Sequence, residues 1–249
     1  MKKIIYITIF ALILASCDDF LTFAPLTDKT SANFPSTTEE VKQMMAGIYT
    51  TMNNEHQLTD MSYLFVCEVA SDEKLGGGGV NDVKAQAYEA FMYSDPDMLS
   101  HNWETTYEGI HRANFAIEKL DALAEDIMAV EEKNQYKGEA HFLRAFFYYR
   151  LATLYGSVPL KITTEPANLG GATAEEIKAA VNLLPNKAYT NTEEGRVTRW
   201  AAQAMMARAW LFYTGFYQKG DLPLAEGGSV TKQEVTGMLD DCIRNSGHT

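Results

Sequence analysis

The chain has 249 residues and is 46% apolar, enough for one large domain or two small ones with a real core. Assigning Lys2 and Lys3 to an export segment leaves 19 of the 21 basic residues against 33 acidic ones, a formal charge of −14. No Lys/Arg cluster is present to neutralise phosphates, so nucleic acid is excluded as a partner, and an anionic membrane surface repels the chain unless a covalent or apolar anchor holds it.

Met1-Lys2-Lys3 makes a positive start, and Ile4 to Ala15 is apolar apart from Thr8. A spanning helix needs about 20 apolar residues, so residues 1–16 read as a secretory signal. Leu14-Ala15-Ser16-Cys17 places small residues before a cysteine, the pattern of a bacterial lipobox, in which the Cys17 thiol takes diacylglycerol. An ordinary signal peptide with an incidental cysteine is the alternative. Acyl chains hold a protein at a membrane through roughly 0.8 kcal/mol per buried CH₂. Residues 17–34 contain Asp18-Asp19, Pro25 and several threonines without helical period, and read as an extended, lipidated tether.

Residues 35–249 read as one helical domain. Pro35-Ser36-Thr37-Thr38-Glu39-Glu40 opens a helix with hydroxyl caps and first-turn acids, and Val41, Met44, Met45, Ile48, Tyr49 and Met52 form its stripe. Those methionines are better explained by core packing than by a metal or an adaptable binding face. Next, Met61 to Ala70 leads into Ser71-Asp72-Glu73-Lys74-Leu75-Gly76-Gly77-Gly78-Gly79-Val80-Asn81-Asp82. No Gly-Lys-Ser/Thr follows, so the glycines are not a phosphate loop. They predict a flexible, exposed loop, the setting in which recognition residues occur. Asp72, Glu73, Asn81 and Asp82 suit polyol hydroxyls or Ca²⁺, although the regular spacing of a calcium loop is missing, and a solvated loop without ligand is the simpler alternative.

Ser94-Asp95-Pro96-Asp97 predicts a turn and helix start, followed by Trp103, Tyr107, Ile110, Ala113, Asn114, Ile117, Leu120 and Leu123 at helical spacing. Trp103 is of a type that stacks on sugars, yet its stripe directs it inward. From Glu131 to Tyr155 a longer helix carries apolar residues at 142, 143, 146, 147, 151, 154 and 155, the three-and-four spacing of one apolar face, interrupted by Arg144 and Arg150, with Gly156 and Pro159 as stop signals. Thr173 and Glu176 have capping-box spacing at the head of a short helix ending before Pro185. Trp200 to Tyr213 is apolar except for Gln203 and Arg208, which predicts a helix buried nearly all round. Thr231 to Asn245 predicts a last amphipathic helix. The pattern is mostly α, with helix pairs forming a tetratricopeptide-like α-α superhelix joined by irregular loops, although no clean 34-residue period is visible.

Chemistry-bearing signals are sparse. None of the five histidines has a partner at zinc-motif spacing, and there is no Gly-x-Ser-x-Gly elbow, so neither a metal nor a cofactor nor a catalytic residue is expected. Cys67 and Cys242 read either as a disulfide of an exported protein or as two buried free thiols. Two of the acids converging as a glycoside hydrolase pair remains an alternative, but no pair is singled out.

Gly138-Glu139-Ala140-His141-Phe142-Leu143-Arg144-Ala145-Phe146-Phe147-Tyr148-Tyr149 through Leu154-Tyr155-Gly156-Ser157-Val158-Pro159-Leu160 resembles the signature helix of SusD/RagB-type nutrient-binding outer-membrane lipoproteins. Trp103, Tyr107, Ile110 and Ala113-Asn114 match an earlier helix of that family. Gly195 to Ala202 with Ala207 to Leu211 resembles a later one, and Cys17 to Leu21 its mature start. The resemblance implies an outer-membrane, surface-exposed lipoprotein that binds oligosaccharide or peptide without catalysis. It also implies a partner, a SusC-like TonB-dependent barrel transporter to which the nutrient passes; Asp18-Asp19 fits surface export in such lipoproteins. Family members are longer, so the chain is expected to be the N-terminal portion of the fold, and a scaffold that docks on the transporter without ligand is the second reading. Starch-binding relatives carry tryptophans where this chain has Gly76 to Gly79, and only Asn81 matches a sugar-contacting position. The candidate ligand residues are therefore Asp72, Asn81 and Asp82, with Cys17 as lipid site.

Overall fold

The computed structural model describes residues 29–31, 33–54, 62–71, 73–92, 99–164, 173–187, 189, 193–224 and 227–247. The chain divides into a leading unit, Met1–Pro35, and a helical unit, Ser36–Thr249. In the leading unit the Thr30 amide donates to Asn33 Oδ1 (2.6 Å), and Lys29 Nζ stands 5.5 Å from the Phe34 ring centre. The export segment and Cys17 lie outside the described residues, as do the Ser94–Asp97 turn and the side chains of Thr173 and Glu176.

The helical unit is mostly α. Its described helices are α1 Thr38–Asn54, α2 Tyr63–Val69, α3 Val83–Glu89, α4 Ser100–Ala122, α5 Val130–Tyr155, α6 Thr173–Leu183, α7 Arg199–Gly215 and α8 Lys232–Asn245. Between α7 and α8 a two-residue ladder pairs β1 Leu222–Pro223 with β2 Ser229–Val230, antiparallel. From α4 onward each long helix packs on the one before it, and α1 lies on α4 and α5, giving the tetratricopeptide-like stack of helix pairs.

Local chemistry sets the helix ends. The Glu40 amide donates to Thr37 Oγ1 (3.2 Å), while Glu40 Oε2 accepts from both amide and hydroxyl of Ser36 (2.7 and 2.9 Å). At α8, Thr231 and Glu234 complete a capping box, and those bonds from Thr231 hold the Glu234 carboxyl below its ordinary range. Helix α5 stops at Gly156, whose φ of 72° is a conformation other residues avoid.

Helices α4 and α5 run antiparallel, since Tyr107 meets Tyr148, Asn114 meets Arg144 and Asp121 meets Lys137. Their close approach is made by glycine. A Cβ added to Gly109 would lie 2.5 Å from the fully buried Phe147 ring. Gly109→Ala is expected to destabilise by about 1–3 kcal/mol through overpacking, read from a denaturant midpoint shift at unchanged slope.

Two expectations change here. Helix α5 does not present one apolar face: Tyr136, Glu139, Leu143, Arg144, Phe147, Tyr148 and Arg150 are all buried, while Phe142 and Phe146 are half-buried. Because α4 covers one side and α6 the other, burial wraps most of the helix and takes charged residues with it. Arg150 lies between the rings of Tyr63 (4.7 Å) and Phe146 (4.3 Å), fastening α2 to α5 through cation–π contact.

Helix α7, in contrast, is not buried all round. Met205, Met206, Ala207 and Ala209 are in the core with Ile177 and Val235, but Ala204, Arg208 and Leu211 are exposed, as is Phe216 just past the helix end. Neighbours α6 and α8 flank the helix without enclosing its last turns, and apolar composition does not report how many neighbours a helix has. The Phe216 ring stacks on Phe212 (5.1 Å) yet stays 70% exposed. Phe216→Ser is therefore expected to change stability by no more than about 0.5 kcal/mol in thermal or urea unfolding.

Both described cysteines are free. Cys67 is exposed rather than buried, because α2 turns it away from Val66 and Val69, which face Tyr88. Cys242 is half-buried, its thiol 3.4 Å from the Trp200 carbonyl.

Candidate functional site

The glycine loop is folded onto the first turn of α3. Gly76 is buried, its amide donating to Glu89 Oε2 (3.0 Å), and a Cβ there would lie 2.5 Å from the Ala85 carbonyl oxygen. Gly77 has φ +88° with no room between it and the Asp82 carboxylate. The Gly79 amide donates to Asp82 Oδ2 (2.8 Å), and Gln86 Nε2 donates to the Gly79 carbonyl (3.1 Å). The half-buried Asp82 carboxylate thus organises the loop, whereas Asn81 is exposed at its rim. Asp72 lies outside the described residues. Leu75, Val80 and Val83 are exposed around the same rim. The loop is pinned rather than freely jointed, because Glu89 of α3 and Asp82 at its N-cap accept the Gly76 and Gly79 amides, while Gly77 is packed against the Asp82 carboxylate.

The signature residues on α4 and α5 hold the segment that follows α5. Asn114 Nδ2 donates to the carbonyls of Lys161 and Thr163 (3.0 Å each), and Arg144 Nη1 donates to Asn114 Oδ1 (2.6 Å) and the Ile162 carbonyl (2.9 Å). The Tyr107 hydroxyl donates to Pro159 O (2.6 Å), and Tyr148 OH donates to Lys161 O (2.9 Å). Glu118 accepts from the amide and hydroxyl of Thr164 (2.8 and 2.6 Å). A segment outside the helices needs its carbonyls satisfied, and these side chains serve several of them. Trp103 packs against Tyr107 (4.8 Å) and edge-on to Tyr155 (5.0 Å), so its ring belongs to this framework.

A third constellation lies between α1, α5 and the turn leading into α7. Glu139 is fully buried; its Oε1 is 2.6 Å from Arg196 Nη2, and its Oε2 accepts from the Tyr49 hydroxyl (3.0 Å). Tyr49 in turn accepts from the Val197 amide (3.0 Å), and Tyr189 OH donates to the Val197 carbonyl (2.9 Å). The Arg196 guanidinium lies 4.5 Å from the Tyr136 ring centre. Burial pushes the Glu139 carboxyl above the usual carboxylate range, against the pull of Arg196 and the Tyr49 hydroxyl. Burial, then the neighbouring Glu139, drives the Tyr49 phenol up, so it remains a donor.

Beside these groups opens a cleft of about 330 Å³ lined by Lys42, Met45, Ala46, Tyr49, Tyr136, Glu139 and Arg196. An adjoining hollow of about 450 Å³ shares Ala46, Tyr49 and Arg196 and adds Thr50, Asn53, Glu194 and Gly195. Sequence reasoning missed this site. Glu139 between Gly138 and Ala140 in a core helix was a signal, because a buried carboxylate demands a partner. Nothing in the chain order identified that partner as Arg196, 57 positions on. Among the described residues no three His, Cys, Asp or Glu side chains gather to hold a metal.

A stack of helix pairs carrying a pinned loop and open clefts defines a helical-repeat scaffold. The particular family follows from comparison: a SusD-like family, described as "Starch-binding associating with outer membrane", matches residues 19–211, and the chain belongs to it. A SusD-like protein of Bacteroides ovatus is 26% identical over 257 aligned residues, covering 95% of this chain and 45% of that protein. SusD-like protein P2 of Formosa agariphila is 28% identical over 221 residues, covering 87% of this chain and 39% of its own. Among solved structures, a laminarin-binding SusD-like protein superposes with TM-score 0.69 at 20% identity, covering 86% of this chain and 45% of that one. Surface glycan-binding protein A from Bacteroides uniformis gives 0.67 at 20%, covering 84% and 46%. The chain thus spans less than half the length of these relatives.

Proposed function

We propose that the protein is an outer-membrane lipoprotein that captures a nutrient saccharide at the cell surface and passes it to a SusC-like TonB-dependent barrel, without breaking a bond. Family membership over residues 19–211 carries this reading, together with the fold shared with laminarin- and surface-glycan-binding proteins. Residues 1–16 are read as the export signal, residues 17–34 as the tether and Cys17 as the lipid-bearing residue. No helix among the described residues is long and apolar enough to cross a membrane. At the glycine loop, exposed Asn81 and the adjacent Asp82 are proposed ligand contacts, with the apolar rim of Leu75 and Val80 around the loop; Asp72, outside the described residues, is the third proposed contact.

Calorimetry of the full chain against neutral oligosaccharides, uronate oligosaccharides and peptides tests the binding step. Saccharide binding supports the reading. Co-purification with a barrel protein and no ligand affinity selects the docking scaffold, and release of shorter products selects a hydrolase. For the anchor, Cys17→Ala is expected to abolish incorporation of labelled palmitate and to move the protein from the membrane fraction to the soluble one; retained label overturns Cys17 as the lipid site.

A further inference from the structure

We infer that the α1–α5 cleft is a seat for a neutral sugar residue, separate from the glycine loop; the inference rests on the saccharide-binding reading above and adds a place and a charge class to it. Ligand sites of this kind occupy roughly 300–1,000 Å³ and combine apolar walls with a few fixed polar groups. The cleft has that composition. Met45, Ala46 and the rings of Tyr49 and Tyr136 supply apolar wall, and Arg196 and Lys42 supply hydrogen-bonding groups, with the fully buried Glu139 holding Arg196 from behind. A pyranose offers the matching chemistry: an apolar C–H face, and a rim of hydroxyls each able to donate and accept.

The polar groups are fixed before any ligand arrives. Glu139 is held by Arg196 at 2.6 Å and by Tyr49 at 3.0 Å, and Tyr49 is itself fixed by the Val197 amide. Such a frame does not reorganise on binding, which lowers the cost of recognition. Charge selects the class. Arg196 is paired with Glu139 (2.6 Å) and Lys42 with Glu39 (3.8 Å), so an anion meets no unneutralised cation in the two hollows, and the chain's overall negative charge disfavours it further. Shared walls at Ala46, Tyr49 and Arg196 join the hollows into one track along α1, where Thr50 and Asn53 follow Ala46 on the same helix face. The second hollow gives the next unit of a chain its place.

The test uses the full-length protein with its methionine methyls carbon-13 labelled, titrated with laminarihexaose, maltohexaose and xylohexaose, each alongside calorimetry. Met45 lines the cleft, so its methyl resonance is the local readout. Expected is a shift of the Met45 resonance by at least one neutral oligosaccharide. Ala46→Trp, which fills the junction of the hollows from an exposed α1 position, is expected to lower that affinity at least tenfold. Gln233→Trp, exposed on α8, should leave it unchanged. If Ala46→Trp does not fold, Asn53→Trp at the far hollow takes its place. Saccharide binding that leaves the Met45 resonance unmoved, or that persists at full affinity in the folded tryptophan variant, overturns the cleft while the general function stands. A peptide or uronate displacing the neutral sugar from Met45 overturns the charge class. A wild-type protein that binds no saccharide overturns the function itself.

Discussion

Glu139→Ala is expected to lower the unfolding free energy by about 3–5 kcal/mol, because it leaves the Arg196 guanidinium facing a buried, unpaired site and removes the acceptor of the Tyr49 hydroxyl. A loss of that size is a large fraction of a typical domain's stability, so it is visible as a shifted urea midpoint and as reduced yield. Replacing both partners, Glu139→Met with Arg196→Met, should recover the larger part of the loss, since the cost lies in stranding one charge rather than in losing the pair. If the double variant is as unstable as the sum of the single ones, the two residues are not coupled in this way.

The same carboxyl sets a pH dependence. Its pKa is higher in the fold than in the unfolded chain, where a glutamate titrates near about 4.3, so the fold binds the proton more tightly. Its contribution to stability is therefore complete below the unfolded pKa and declines as pH rises through the folded one. Glu139→Gln cannot ionise and removes that slope. The wild type minus Gln difference in unfolding free energy should fall from about pH 4 toward neutrality. A difference that grows over this interval would show that the Arg196 attraction outweighs burial.

Arg144→Met is expected to cost about 2–5 kcal/mol. It keeps most of the side-chain volume but takes donors from Asn114 Oδ1 and the Ile162 carbonyl, both within the α4–α5 framework. Part of the effect is local: residues 160–164 lose a tie to α4 and α5. Hydrogen exchange should accelerate at Lys161 and Thr164 while the α7 and α8 amides keep their protection, because the hydrogen bonds that hold this segment run to α4 and α5. Uniform loss of protection instead would mean that Arg144 supports the whole stack.

Much of the fold was legible in the chain because it depends on local rules. Hydroxyl and acid caps placed the head of α1, Gly156 placed the end of α5, and three-and-four spacing placed α4 and α8. The candidate site was legible only in part. Asp82 stood out as an acid beside four glycines, but its job of accepting the Gly79 amide depends on how the loop closes on α3. Trp103 carried a helical stripe and packs accordingly.

Where the reading failed, the cause was the number of neighbours a helix has. Helix α7 is apolar and was expected to be enclosed, yet its last turns are exposed; α5 looked one-faced, yet it buries Glu139, Arg144 and Arg150. Composition and periodicity report what a helix offers, whereas burial depends on what other helices bring to it. By itself the sequence determined the helical class, the helix ends and, through the wording of the 138–160 segment, the family. Only the tertiary structure decided that Glu139 meets Arg196 and Tyr49 beside an open cleft, and that Arg144 ties down the segment after α5. Those contacts join residues 18 to 90 positions apart, and a pairing over such distances is set by packing, which no local pattern encodes.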